Sequence, residues 1–267
     1  MRRALEEDLG SGDVTAETLV PADHVVRAEL RLQEPAVIAG IPWFEASFRL
    51  LEPALRIRWK TQEGEEGAAG TIVAELEGPA RPLLGGERTA LNFLQLLSGT
   101  ATATRRYVRA VAGTPCRILD TRKTLPGLRT AQKYATRIGG AVNHRFGLYD
   151  AILIKENHLA SVGGIPVALE KARRRAGVPV ILEVETLAEL REAIACGAPW
   201  ILLDNFPLDE IRQAVEFTAG RARLEASGGL DLETIRAVAE CGVDFISIGA
   251  LTKHVRAIDL SLRIVSA

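Results

Sequence analysis

Eight side chains able to hold or move charge crowd into residues 120–158: Asp120, Arg122, Lys123, His144, Arg145, Lys155, Glu156 and His158. The run Ala151 to Ile154 reads as a buried strand that Lys155 closes. A lone ammonium is expensive to bury, so a cation at a strand end faces water, a carboxylate or an anionic ligand. Here two Arg, two Lys and two His converge with few acids between them. The chemistry they suit is the binding of a small molecule with several negative charges. The chain has only six lysines, and Lys123 and Lys155 are two of them.

The bulk properties make any such site local. Over 267 residues the formal net charge is −1, so no global field favours nucleic acid or an anionic membrane. Hydrophobic content of 47% and charged content of 25% are those of a globular chain long enough for one large or two modest cores. Cys116, Cys196 and Cys241 are far apart, odd in number and free of any C-x-x-C pattern. They read as small core residues in a reducing compartment, not as a zinc or disulfide framework. No apolar run approaches the roughly 20 residues of a membrane span, and Met1 to Asp8 lacks an apolar signal core. A cytoplasmic location is the expectation.

The elements that must position the charges repeat in the second half. The blocks 176–185, 196–205 and 241–250 each carry a Gly, two linking residues, an apolar run and a polar or Gly terminus. Gly220 opens a weaker copy ending at Ser227. Helical patterns fall between, at 165–176, 187–196, 208–218 and 231–241, each followed by a Gly suited to a left-handed C-cap. Asp209, Glu210, Asp231 and Glu233 are expected in first helical turns. Alternating units of this length build a parallel sheet. Six or seven of them from residue 117 suggest a (β/α) barrel short of eight strands, with a doubly wound open sheet as the competing architecture. No G-x-G-x-x-G follows the first strand, so a dinucleotide site is not indicated.

The first hundred residues alternate apolar and polar at 28–32 and 55–59, with 71–76 a third strand candidate. Gly64, Gly67 and Gly70 punctuate one loop and Gly85-Gly86 another. A long helix is expected from Arg88 to Ala112, broken or kinked near Ser98-Gly99. The reading is an α+β sandwich domain over 1–112 and a barrel domain over 113–255. Residues 256–267 alternate like a strand and are expected to return to the first domain.

In parallel α/β folds the site lies at the carboxyl ends of the strands. Asp120, Lys155, Glu183 (or Glu185), Asp204 and Glu225 are placed there. One such charge reads as a salt bridge, whereas five around one rim read as a site. Ser227-Gly228-Gly229 and Gly249-Ala250 close the last two repeats ahead of helices, and their bare N–H groups suit a phosphate. Glu183 and Asp204 either neutralise Lys155, hold sugar hydroxyls, or bind magnesium through water. His24 and Trp43 read as structural, and Arg173-Arg174-Arg175 as a solvated face.

Ordered motifs then carry a resemblance nearly end to end: EDLGSGDVT (7–15), ERTALNFLQLLSGTAT (87–102), LDTRKTLPGLR (119–129), NHRFGLYD (143–150), IKENH (154–158), EVET (183–186), LLDNF (202–206), EASGG (225–229) and IGALT (248–252). The chain resembles the quinolinate phosphoribosyltransferases, also called nicotinate-nucleotide pyrophosphorylases (carboxylating). The resemblance implies an N-terminal open-faced α/β sandwich domain and a C-terminal incomplete (β/α) barrel. It implies a homodimer with shared active sites, which can assemble further into a hexamer. The implied reaction joins quinolinate to 5-phosphoribosyl-1-pyrophosphate with Mg2+, giving nicotinate mononucleotide, pyrophosphate and CO2 in de novo NAD synthesis. By the same resemblance Arg122, Lys123, His144, Arg145 and Lys155 form the quinolinate pocket, with Arg88 from the partner subunit. Lys123, Lys155, Glu183 and Asp204 surround ribose and pyrophosphate as the catalytic group, and Glu183 and Asp204 serve the metal directly or through water or substrate. Ser227, Gly228, Gly229, Gly249 and Ala250 hold the 5-phosphate. One departure stands out: the family usually reads L-T-H-S where this chain reads L-T-K-H, so Lys253 takes the place of the His, with His254 beside it.

Arg presents a planar fork that fits a carboxylate bidentately, so three Arg suit a diacid better than a monoacid. Three rival readings remain at this point. One is a relative acting on nicotinate or another aromatic acid. Another is a Schiff-base aldolase using Lys155. The third is a non-catalytic phosphate-binding module, against which the acid pair Glu183 and Asp204 speaks.

Overall fold

The structure, a computed structural model, describes residues 1–175 and 177–266. Ala176, expected to end one helix and open one repeat, and Ala267 lie outside the described residues. The chain divides into two compact units, Met1–Ala103 with Val255–Ala267, and Thr104–His254.

The first unit begins with α1 (Arg2–Leu9) and α2 (Val14–Leu19), the latter capped by Asp13, whose carboxylate accepts from Thr15 N and Ala16 N at 3.0 and 2.9 Å. Then come β1 (Val25–Leu32), β2 (Ala36–Val37), α3 (Ile41–Arg49), β3 (Arg56–Trp59), β4 (Glu66–Gly67), β5 (Ile72–Pro79) and α4 (Ala80–Ala110). Val26, Ala28, Leu30 and Leu32 alternate inward along β1 while Arg27, Glu29 and Arg31 face out. That period places one face of the sheet on Phe44, Phe48, Leu83, Leu91 and Leu94.

The second unit runs β6 (Arg117–Leu119), α5 (Arg129–Ile138), β7 (Ile152–Ile154), α6 (Glu156–Val162), α7 (Ile165–Arg173), β8 (Val180–Val184), α8 (Leu187–Ala195), β9 (Trp200–Asp204), α9 (Leu208–Thr218), β10 (Arg223–Ser227), α10 (Ile235–Glu240), β11 (Phe245–Ser247) and α11 (Ala250–Lys253). The last strand, β12 (Leu260–Ser266), pairs antiparallel with β1, giving a first-unit sheet ordered β12-β1-β5-β3. The C-terminal strand therefore returns to the first unit, as its alternation suggests.

The six strands of the second unit are parallel and ordered β6-β11-β10-β9-β8-β7. The first strand joins the last, so the sheet curls into a barrel whose uncoupled edges are β6 and β7. Val142 adds one isolated bridge to Leu119 at that gap. The outward positions Ile201, Leu203, Leu224 and Ala226 pack in the core with the helices, while Trp200, Leu202 and Asp204 line the other face. Gly197, Gly220 and Gly242, with φ of 69°, 75° and 96°, provide the left-handed turn out of each helix.

Two expectations need correction. Residues 231–241 are not one helix. Asp231 closes a turn by accepting from Glu233 N and Thr234 N at 3.1 and 3.0 Å, and α10 starts only at Ile235. The long helix α4 starts at Ala80 and not at Arg88, and it runs unbroken through Gly85-Gly86 and Ser98-Gly99. Pro82 is harmless because it sits in the first turn. The glycines serve contact and not flexibility. A Cβ on Gly86 would lie 2.9 Å from the Phe48 ring, and one on Gly99 only 2.1 Å from the Arg256 carbonyl oxygen. Cys196 and Cys241 are half-buried at helix ends, whereas Cys116 is fully buried and its thiol is pushed up to about 12 by burial first and Asp244 second. Among the described residues no helix is long and apolar enough to cross a membrane.

In an open helix Gly→Ala would stabilise by about 1 kcal/mol. At Gly99 the backbone contact reverses the sign. Gly99→Ala is expected to destabilise by about 1–3 kcal/mol, read as a lower midpoint in urea unfolding.

Candidate active site

The loop after β6 carries Arg122 and Lys123, and the loop before β7 carries His144 and Arg145. Both are fixed from beneath by one buried network. Lys133 on α5 and Asp120 are both fully buried and form an ion pair. Lys133 Nζ also donates to the His144 carbonyl at 2.8 Å, and Asp120 accepts the His144 N–H at 2.9 Å. Thr136 Oγ1 and Asn143 Nδ2 donate to the second Asp120 oxygen at 2.9 and 2.6 Å. All four carboxylate lone pairs and two of the three ammonium protons thus meet a partner, the condition under which a buried ion pair is tolerable. Burial works against the Lys133 charge and Asp120 works for it, and the balance leaves the ammonium below its ordinary value.

Arg129 ties the two loops together. Its guanidinium donates to Thr124 Oγ1 at 3.1 Å, the Phe146 carbonyl at 3.0 Å and the Arg122 carbonyl at 3.3 Å. Gln132, fully buried, accepts from Leu125 N at 2.7 Å and donates to the Thr252 carbonyl at 3.0 Å. Thr252 Oγ1 in turn donates to the Lys123 carbonyl at 2.8 Å. The cationic loop and the Gly249-Ala250 turn are therefore one hydrogen-bonded body.

Around the mouth, Arg145 lies close enough to Arg122 and Glu183 for their charges to act on it. Burial first and Arg122 second hold its guanidinium below the ordinary value, against Asp150 and Glu183. Arg122 Nε is buried without a hydrogen-bond partner. Lys155 closes β7 and donates to Glu183 Oε2 on β8 at 2.5 Å. Asp204 ends β9, in register with Ser227 at the end of β10. Asn205, at φ 57°, accepts this turn by donating to Asp204 at 2.9 Å. A Cβ on Gly228 would lie 2.1 Å from Asn205 Oδ1, so only Gly fits there. The Lys123 side chain lies over Gly249, its Cδ 2.9 Å from where a Cβ would stand.

A guanidinium pair, an unpaired buried donor, a lysine–glutamate pair and two Gly turns in the loops and strand ends of the second unit suit an anion with more than one charged group. A hollow of about 550 Å³ on the first unit's sheet does not compete. Its Arg27, Arg56 and Arg58 are matched by Glu29, Glu75 and Glu77, so its charges balance.

Comparison with known proteins agrees with this geometry. The model of the quinolinate phosphoribosyl transferase N-terminal domain matches residues 13–98, and that of the C-terminal domain matches residues 100–263. The chain belongs to the quinolinate phosphoribosyltransferase family. It is 44% identical to a probable nicotinate-nucleotide pyrophosphorylase [carboxylating] of Bacillus subtilis, over 96% of this chain and 89% of that one. It is 43% identical to the nicotinate-nucleotide pyrophosphorylase [carboxylating] of Mycobacterium leprae, covering 98% and 95%. A solved nicotinate-nucleotide pyrophosphorylase from Francisella tularensis superposes with a TM-score of 0.95 at 44% identity, covering 98% of this chain and 94% of that one.

For a quinolinate phosphoribosyltransferase of this sequence, the structure gathers Arg122, Lys123, Arg145, Lys155, Glu183, Asp204, Ser227, Gly228, Gly249 and Ala250 in the loops and strand ends of the second unit. Glu183, and not Glu185, is the strand acid. Glu185 is exposed beyond the strand, where a hydrogen bond to Glu156 raises its carboxyl. Two of the five presumed rim charges are not at the rim. Asp120 is in the buried network, and Glu225, though aligned with Leu202 as Glu183 is, is fully buried. Gly229 is exposed at φ 60°, and no helix follows directly, since α10 begins six residues later. Lys253 and His254 are exposed at the end of α11, and Arg88 is exposed on α4 in the first unit. Arg173 is more than a solvated charge, for it donates to the carbonyls of Cys196 and, at 3.0 Å, Gly197 at the end of α8.

Sequence reasoning missed Lys133, Arg129, Gln132, Asn143 and Asp150 as supports. The available signal was Lys133 and Gln132 standing on the apolar side of an amphipathic helix, where charge requires a partner. Lys133→Met should strand Asp120 as a buried charge and destabilise by about 3–5 kcal/mol, measured by denaturant unfolding, with Asp120→Asn in the same chain recovering part of the loss. Asp150 accepts from Phe146 N and Gly147 N at 2.7 and 3.0 Å. Burial alone would raise its carboxyl, but those N–H groups outweigh it and hold it low. A carboxyl depressed by folding stabilises above its unfolded pKa and loses that contribution as pH falls through the folded one. Amide protection at Phe146 and Gly147 should be full above about pH 5 and fade below about pH 4, measured by hydrogen exchange corrected for intrinsic rate.

Proposed function

We propose that this chain transfers phosphoribose from 5-phosphoribosyl-1-pyrophosphate to quinolinate with loss of CO2, yielding nicotinate mononucleotide and pyrophosphate. The observation that carries the reading is the crowded Arg122–Arg145 pair with its unpaired buried Nε. Two forks and one idle donor are satisfied by adjacent carboxylates, and water alone would leave two like charges facing each other.

On this reading Arg122 and Arg145 seat the two carboxylates, with Lys123 and His144 beside them. Arg88 of a second subunit closes the pocket, which makes the working form a homodimer. The sugar phosphate lies across Lys155, Glu183 and Asp204, its 5-phosphate in the turns at Ser227–Gly229 and Gly249–Ala250. The ring nitrogen attacks C1 as the C1–O bond to pyrophosphate breaks, so no enzyme nucleophile is needed. Glu183 and Asp204 stabilise the positive charge that develops on the ribose, while Lys155 and Lys123 stand ready for the pyrophosphate. Breaking the bond from C2 to its carboxyl carbon leaves an electron pair beside the cationic nitrogen, where it is stabilised, and a proton then takes its place. The protein's share is orientation and exclusion of water.

Magnesium fits this donor set as a shared guest. Lys155 already occupies one Glu183 oxygen, and among the described residues no group of three or more His, Cys, Asp or Glu could cage a metal. Mg2+ is ordinarily held by one or two carboxylates plus substrate oxygens and waters. Asp204 and Glu183 would hold it with the diphosphate, and when bound it neutralises the leaving group.

The Schiff-base alternative is disfavoured by the same contact. Lys155 is engaged by Glu183 and its side chain is 45% exposed, whereas an amine nucleophile needs a desolvated site.

Purified protein with quinolinate, phosphoribosyl pyrophosphate and Mg2+ should release CO2 and nicotinate mononucleotide, and nicotinate in place of quinolinate should give little product. Arg122→Ala and Arg145→Ala should each raise KM for quinolinate about 10–150-fold with an unchanged unfolding curve. Arg88→Ala and Lys155→Ala should be inactive alone. Mixed under conditions of subunit exchange, they should regain activity through hybrid dimers carrying one intact site.

A further inference from the structure

Glu225 has no role in the reading above, yet its setting is unusual. It lies mid-strand on β10, aligned with Leu202 on one side and Phe245 on the other, and is fully buried. Neither carboxylate oxygen has a hydrogen-bond partner. A buried carboxylate without donors is costly, so the group must face something that uses it. The donor facing it is His144, whose Nε2 is 3.5 Å from Glu225 Oε2 and whose side chain is 8% exposed.

The far side of the ring favours one tautomer. His144 Nδ1 accepts the Arg145 N–H at 2.7 Å. In a neutral imidazole one nitrogen accepts and the other carries the proton, so Nε2 bears the hydrogen and presents it to Glu225. The ring is also seated against Trp200 at 5.8 Å, and Trp200 stacks on Phe245 at 4.9 Å. The His144 backbone is held by Asp120 and Lys133. Glu225 is the polar group that faces Nε2, so with the Arg145 N–H on Nδ1 it sets the ring's rotation and tautomer.

We propose that Glu225 is a positioning residue that holds the His144 imidazole in its Nε2–H form and fixes its angle beside Arg122 and Arg145. The proposal rests on the quinolinate reading, and it adds that the wall of that pocket is set by a fully buried group inside the barrel. Glu225 touches no substrate and acts through His144.

Glu225→Leu removes the acceptor without leaving a buried charge, so the fold should be as stable as the wild type or more so. Its KM for quinolinate should rise about 10-fold, with the KM for phosphoribosyl pyrophosphate and kcat little changed. Glu225→Gln keeps an acceptor oxygen at the same place and should restore most of the lost affinity. In 15N spectra of histidine-labelled protein, assigned by His144→Gln, the wild type and Glu225→Gln should show the Nε2–H tautomer at residue 144. Glu225→Leu should show a mixture. A residue that served stability alone would shift the unfolding midpoint and leave KM and tautomer untouched. An active wild type whose Glu225→Leu variant matches it in quinolinate KM and in the His144 spectrum overturns the positioning role alone. A wild type with no turnover of quinolinate overturns the functional reading beneath it, whatever the spectra show.

Discussion

The second unit depends on one buried contact, the ion pair of Lys133 with Asp120. Two opposite charges with no solvent exposure are costly to bury, and they persist because they bond each other and the groups around them. Their spare hydrogen-bonding capacity goes to the His144 backbone, to Thr136 and to Asn143. The pair is the peg on which the loop bearing His144 and Arg145 hangs. Its charge is hidden so that the charges beyond it can be exposed in a fixed place.

A second layer of the same logic joins the loops to each other. Arg129 holds carbonyls and a hydroxyl of both cationic loops, and Gln132 with Thr252 fastens Lys123 to the Gly249 turn. Lys133, Arg129 and Gln132 all lie on α5, and their side chains reach the two cationic loops and Thr252. One helix thus sets the distance between the place that suits a diacid and the turn that suits a phosphate. In a group-transfer site that distance is the property that matters, since orientation supplies much of the rate.

The strand ends contribute a different kind of order. Asp204 and Ser227 are in register across β9 and β10, and Glu225 lies one layer below. Parallel pairing places side chains in layers, so the residue beneath the rim is as firmly placed as the one on it. Glu225, His144 and the Trp200–Phe245 stack make a floor that mixes one buried charge with aromatic faces.

The alternation of β1 and β12, the Gly-marked repeats and the clustered cations were legible in the sequence because each is a local pattern. Strand period, C-cap glycines and charge density need no knowledge of distant residues. The motifs carried the family for the same reason. Where local pattern was ambiguous the reading went astray. Gly85-Gly86 looked like a loop, and only the nearness of Phe48 and Leu9 shows why a helix wants glycine there. Asp120 and Glu225 looked like rim charges, and only burial places them inside.

The sequence by itself determined which residues alternate, where the helices end and which charges the chain holds in store. Tertiary structure alone decided which of those charges face water and which are spent inside. Periodicity is a property of neighbours along the chain, whereas the cost of a charge depends on what surrounds it in space. Lys133 and Lys155 are the same residue type, one hidden against Asp120 and the other open beside Glu183; helical spacing asks for a partner at Lys133, and only space names it.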